Sequence, residues 1–141
     1  MSDHLTRLKL PAVMGSLRAF TEFVHRGAQA AAFTEKDLGR LDLVMEEFVV
    51  NVIHYAYPEG QPGSIEVGYA LEGPRRLLVQ VIDSGRAFDP TTQNPPDLRL
   101  GFADRPIGGL GIFLAKRIAR SIKANRVGNQ NILSFRFEAG G

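Results

Sequence analysis

The chain has no cysteine. That absence excludes a disulfide framework, a thiolate zinc site and a cysteine nucleophile, and it fits a reducing cytoplasm. No stretch approaches the roughly 20 apolar residues that span a bilayer. The N-terminus, MSDHLTRLKLPA, has no apolar core of signal-peptide length. The expectation is a soluble cytoplasmic protein without membrane contact. Nor is there much charge of one sign. The formal net charge is +2, too little to argue for nucleic acid by itself. The three histidines, His4, His25 and His54, show no metal-ligand spacing. Ser, His and Asp occur without a recognisable nucleophile motif.

What is present suits one domain over residues 1–141. Of the 141 residues 44% are hydrophobic and 23% charged, enough to fill a single core. Residues 5–10 predict a short strand with Leu8 and Leu10 on one side. Val13, Leu17, Phe20 and Val24 recur at helical spacing and predict a helix over 13–30. Thr34 is placed to cap the next helix, with Asp37 in the capping-box position. That helix carries Leu38, Leu41, Met45, Phe48, Val52 and Tyr55 on one stripe and stops at Pro58.

SIEVGYALEGPRRLLVQVID predicts a hairpin turning at Gly73-Pro74. Residues 84–108 are irregular and hold Pro90, Pro95, Pro96 and Pro106; loops this long are usually functional or disordered. GIFLAKRIARSI predicts a helix, and NILSFRF a closing strand with Leu133, Phe135 and Phe137 on one face. The sum is an α/β two-layer sandwich, in which about three helices cover one face of a mixed, largely antiparallel sheet. Lys116, Arg117, Arg120, Lys123 and Arg126 cluster within this last part. They read either as a solvated helix C-terminus that complements the macrodipole or as a surface for an acidic partner.

Three polar constellations interrupt the apolar pattern. In EEFVVNVIHYAY, Glu47, Asn51 and His54 are spaced four and three apart and form one stripe of the second helix. Its apolar surroundings aim that stripe at a pocket. A carboxylate and an amide oxygen one turn apart suit a hard cation such as Mg²⁺; the alternative is a pair of buried polar residues that satisfy neighbouring backbone. In LLVQVIDSGRAFDP, Asp83 ends an apolar strand and needs a donor, which an adenine amine would supply. Gly85 would let the base come close. An ordinary Asp-Ser-Gly turn is the plainer account. In RPIGGLGIFLAKRIA, Gly108, Gly109 and Gly111 lead into a helix, where free N–H groups bind anions; a flexible hinge has the same composition. No Gly-Lys-Ser/Thr follows, so this is not a Walker loop. The third glycine of a dinucleotide fingerprint is missing too.

Taken together and in this order, the three segments resemble the nucleotide-binding boxes of the GHKL ATPase superfamily. EEFVVNVIHYAY looks like the N box, DSGRAFD the first glycine box and GGLGIFLAKRIA the second. Within it, the short length, NVIHYAYPE and GGLGIFL resemble the anti-sigma factor serine/threonine-protein kinases, over about residues 10–137. The resemblance implies a Bergerat-type fold that binds ATP with Mg²⁺. It implies Asn51 as the Mg²⁺ ligand and Glu47 as general base or orienter of the attacking group. Asp83, with Gly85 and Phe88 nearby, would meet the adenine, and Gly108, Gly109, Leu110 and Gly111 would cradle the phosphates. Residues 86–107 correspond to an ATP lid; apart from the resemblance, we expect that Arg99 or Arg105 within it could reach a γ-phosphate and offset its charge.

Such kinases bind a sigma factor, phosphorylate a Ser or Thr of a STAS-type antagonist and usually form homodimers. The expected role is therefore regulation of transcription through protein partners, with no direct nucleic-acid contact. Other readings are an ATP-dependent partner switch without kinase activity, a DNA-binding protein that uses the 116–126 cations, and the catalytic half of a histidine kinase. The last lacks a preceding phosphoacceptor helix, since only about 33 residues come before the N-box helix.

Overall fold

The computed structural model describes residues 5–58, 60–61, 63–87 and 109–140, with the backbone alone described over 109–113. Five strands form one sheet: β1 (Thr6–Pro11), β2 (Ser64–Leu71), β3 (Arg76–Asp83), β4 (Arg120–Val127) and β5 (Gln130–Glu138). Their order across the sheet is β1-β2-β3-β5-β4. Every described pairing is antiparallel. Among the described residues, three α-helices accompany the sheet: α1 (Leu17–Ala28), α2 (Glu35–Tyr55) and α3 (Gly109–Ile118).

Alternation along the strands decides which face is covered. Ile65, Val67, Leu77, Val79, Val81, Leu133, Phe135 and Phe137 recur at every second position, and all are buried. They meet Phe20 and Val24 of α1 and Leu41, Met45, Phe48 and Val52 of α2 in one core. The Phe48 and Phe135 rings lie 5.4 Å apart, and Phe23 meets Tyr69 edge-on at 4.9 Å. A Cβ at Gly27 would collide with the Tyr69 ring, so the lack of a side chain there lets α1 sit on β2. The other sheet face is mixed, with Leu78, Ile82 and Ile132 beside Gln80, Ser134 and Arg136; there Arg136 meets Glu72 through Nε at 2.6 Å and Nη2 at 3.2 Å.

The cap at Thr34 forms as its sequence predicts. Asp37 N–H donates to Thr34 Oγ1 at 3.1 Å, and Thr34 N–H donates to Asp37 Oδ2 at 3.0 Å. Asp37 is 3% exposed and also accepts from Gly140 N–H at 3.0 Å. One carboxylate thus ties the start of α2 to the C-terminal end of the described chain. The Thr34 backbone bond chiefly holds its pKa below the ordinary value, against the opposing effect of burial.

The region after α3 departs from expectation. The helical pattern of GIFLAKRIARSI continues past Ile118, but the helix ends there and Arg120 begins β4. Pairing with β5 overrides the local pattern. The change of direction is absorbed by a register shift between Arg120 and Lys123 and by Ser121, whose φ is +52°. The basic cluster therefore divides: Lys116 and Arg117 lie in the last turn of α3, whereas Arg120, Lys123 and Arg126 lie on a strand. The predicted helix over 13–30 is likewise shorter, with single 3-10 turns at Met14–Ser16 and Gln29–Ala31 flanking α1. No described helix is long and apolar enough to cross a membrane.

Asp37→Ala removes the bonds that the carboxylate accepts from Thr34 N–H and Gly140 N–H, leaves the backbone bond to Thr34 Oγ1, and should cost about 1–2 kcal/mol, read by urea unfolding at neutral pH. Because the folded-state pKa is depressed, that contribution is present above the unfolded pKa and disappears as pH falls through the folded one. The gap between wild type and variant should therefore close in acid.

Candidate nucleotide site

The end of β3 is fastened to the end of α2. Arg86 N–H donates to the Ala56 carbonyl at 2.8 Å, and Arg86 Nε donates to the Tyr55 carbonyl at 2.6 Å. Ser84 N–H donates to Tyr57 Oη at 2.8 Å, and that hydroxyl donates to the Ser64 carbonyl at 2.6 Å. Gly85 is packed so tightly on the helix that an added Cβ would collide with the Ala56 carbonyl oxygen. A need for glycine that the sequence suggests could serve a ligand is thus already set by the protein's own backbone. Fastening these segments places the end of α2 and Asp83 at one rim of the sheet.

Asp83 is 3% exposed. Its Oδ1 accepts from Gly85 N–H at 2.9 Å and from Asn131 Nδ2 at 2.9 Å. Oδ2 accepts from none of the described residues. Burial pushes the Asp83 carboxyl up from its ordinary pKa; the Gly85 and Asn131 hydrogen bonds and the Arg126 charge oppose the rise. Beside it opens a cleft of about 330 Å³ lined by Val52, Asp83, Ala87, Ala124, Arg126 and Asn131 among others. This volume suits a small flat ligand, and Asp83 gives an apolar wall one anionic acceptor.

The polar stripe on α2 runs from the interior to the surface: Asn51 is buried, Glu47 half-buried and His54 exposed. Asn51 is 1% exposed, and neither its Oδ1 nor its Nδ2 has a hydrogen-bond partner among the described residues. An amide left in this state costs about 1–3 kcal/mol. Its free oxygen is a hard donor of the type Mg²⁺ takes, so the residue fits that ion where a backbone-satisfying role does not. Burial, with the neighbouring Glu46 charge second, pushes the Glu47 carboxyl upward. Asn51 and Glu47 are not part of the cleft lining; Asn51 follows in sequence directly before Val52, which is.

Gly109, Leu110 and Gly111 form the first turn of α3, which packs against α2. Phe88, Arg99, Arg105 and Gly108 lie outside the described residues. Asn131 and Arg126 join the site without belonging to any of the three boxes. Extending the period of Leu133, Phe135 and Phe137 back one step places Asn131 on the buried face. An amide at an apolar position is the same signal that marks Asn51.

The histidine kinase-like ATPase domain family matches residues 10–137. The chain belongs to that family. A curated relative of this ATPase domain, the serine/threonine-protein kinase BtrW of Bordetella bronchiseptica, is 27% identical over 94 residues. That alignment takes in 67% of this chain and 66% of the relative, so the chain spans just under two thirds of that protein. Among solved structures, the RsbU and RsbW domains of a Mycobacterium tuberculosis protein share the fold with a TM-score of 0.62 at 15% identity. The match covers 94% of the ATPase domain chain and 32% of that structure. The histidine kinase domain of a blue-light activated kinase from Erythrobacter litoralis gives 0.55 at 16% identity, over 92% and 62% of the two chains.

Gly85→Ala should destabilise the domain by about 1–3 kcal/mol, because the added methyl meets backbone that cannot move aside cheaply. A fall in the urea midpoint with unchanged slope would register it; wild-type stability would contradict the packing described.

Proposed function

We propose that the whole of 1–141 acts as one ATP-binding domain, a serine/threonine-protein kinase that serves as an anti-sigma regulatory factor and phosphorylates a STAS-type antagonist. The observation that carries the reading is the buried amide of Asn51, without a hydrogen-bond partner among the described residues, on the helix whose end is fastened beside Asp83. Membership of the ATPase family and similarity to a serine/threonine-protein kinase support the chemistry.

In this reading the adenine amine donates to the free Oδ2 of Asp83. Asn51 Oδ1 would hold Mg²⁺, which when bound offsets phosphate charge. The N-terminus of α3, with Gly109 and Gly111, would face the phosphates. Glu47 orients the acceptor hydroxyl and takes its proton, a task helped by a carboxyl pushed upward. The acceptor oxygen forms a bond to the γ-phosphorus as the bond to the β–γ bridging oxygen breaks, leaving ADP and a phosphorylated Ser or Thr. Phe88 would lie on the adenine side and Gly108 would join Gly109 and Gly111 at the phosphates, while Arg105, within the proposed lid segment 86–107, would offset γ-phosphate charge. A homodimer is proposed through β1 and α1, since β1 is an edge strand.

Calorimetry with Mg-ATP tests the pocket. Asn51→Ala and Asp83→Asn should each lose at least about tenfold in affinity, in line with leaving a buried polar partner unmatched. Binding that is indifferent to magnesium would remove Asn51 from its role. Affinity should also fall as pH drops through the raised Asp83 pKa, at a higher pH than an ordinary aspartate would give, because only the carboxylate accepts. Labelled γ-phosphate appearing on a STAS-domain protein identifies a kinase; ATP binding without transfer identifies a partner switch.

A further inference from the structure

Beyond Asp83 itself, the cleft contains a fixed hydrogen-bond chain. Asn131 Nδ2 donates to Asp83 Oδ1 at 2.9 Å and to the Arg86 carbonyl at 2.7 Å. Asn131 Oδ1 accepts from Arg126 Nη1 at 3.2 Å. The same Nη1 donates to the Gly85 carbonyl at 2.8 Å, and Arg126 Nε donates to the Gly128 carbonyl at 3.2 Å. These three contacts agree on the orientation of the amide. Turned over, its oxygen would face a carboxylate and a carbonyl, while its NH₂ would face a guanidinium that can only donate.

We propose that Arg126 and Asn131 are positioning residues that make Asp83 a one-sided acceptor and thereby select adenine over guanine. This rests on the ATP reading above and adds to it the residues that determine base specificity. Oδ1 is saturated by Gly85 N–H and Asn131, so only Oδ2 is offered to a ligand. Adenine presents an amine there. Guanine presents a carbonyl, and two acceptors facing each other in a buried site leave both unpaired. The cation matters as well as the amide. Among the described residues, Arg126 is the charged group that acts on Asp83, and burial works against ionisation. The guanidinium and the Asn131 donor hold the carboxylate in the accepting form that adenine needs. The chain also explains why the cleft is built partly from β4: the strand supplies the cation that orients an amide on β5 to serve an acid on β3.

The test uses the full chain with Arg126→Met, Asn131→Leu and the conservative Arg126→Lys. The first measurement needs no nucleotide: carbon-detected NMR titration of the Asp83 carboxyl. Its midpoint should rise in Arg126→Met and Asn131→Leu and return toward wild type in Arg126→Lys, with melting curves identifying any variant that fails to fold. The second is affinity for ATP and for GTP at pH 8. Wild type should prefer ATP by about a hundredfold or more, the scale on which unpaired polar groups discriminate. Arg126→Met and Asn131→Leu should each weaken ATP about tenfold while leaving GTP nearly unchanged, since the loss of a positioned acceptor touches only the ligand that uses it. An unmoved carboxyl midpoint, or an unmoved ATP-to-GTP ratio in folded variants, overturns the inference and leaves ATP binding standing. If the variants show the carboxyl response yet the wild type binds neither nucleotide, the ATP reading is overturned, and this selectivity with it.

Discussion

The close approach of Gly85 to the Ala56 carbonyl is the constraint on which the site depends. It brings the last turn of α2 against the chain leaving β3, and three further hydrogen bonds from Ser84 and Arg86 hold the contact. The core already lays α2 on the sheet, and this contact fixes the end of the helix against the strand that ends in Asp83. Tyr57 reinforces the joint by bonding both neighbouring strands' ends through one hydroxyl. The fold's core explains why these elements exist; this joint explains why their polar residues share a rim.

Polar groups at this rim are held in two different states. Asp83 is buried but well supplied, with two donors on one oxygen and a cation behind the amide that provides one of them. Asn51 is buried and unsupplied among the described residues. The first arrangement stabilises a charge that burial alone would disfavour. The second keeps a free-energy cost that a ligand can relieve. In the proposed function, the carboxylate held ready would favour the base and the amide left wanting would favour the ion.

Much of this was legible in the sequence because it depends on local rules. Helical spacing gives the stripe of Leu41, Met45, Phe48 and Val52, all buried. Thr34 and Asp37 carry the cap, and Gly73-Pro74 marks the hairpin turn, where Gly73 has φ of +94°. The three boxes single out Asn51 and Asp83 through the cost of polar groups among apolar neighbours. What escapes local rules is partnership over distance. Arg120 continues a helical pattern and becomes strand because β5 lies beside it. Asn131 is 48 residues from the acid it serves, and nothing in the sequence states that Arg126 orients it. Gly85 was legible as special, but the neighbour that crowds it is a helix end rather than a base.

Strand β4 closes one side of the sheet with Arg120, Lys123 and Arg126 and no carboxylate of its own. On β1, at the opposite edge, Arg7 lies 3.8 Å from Glu66, which offsets its charge. Two copies meeting β4 to β4 would set cation against cation, so that symmetric joining of two sheets is disfavoured.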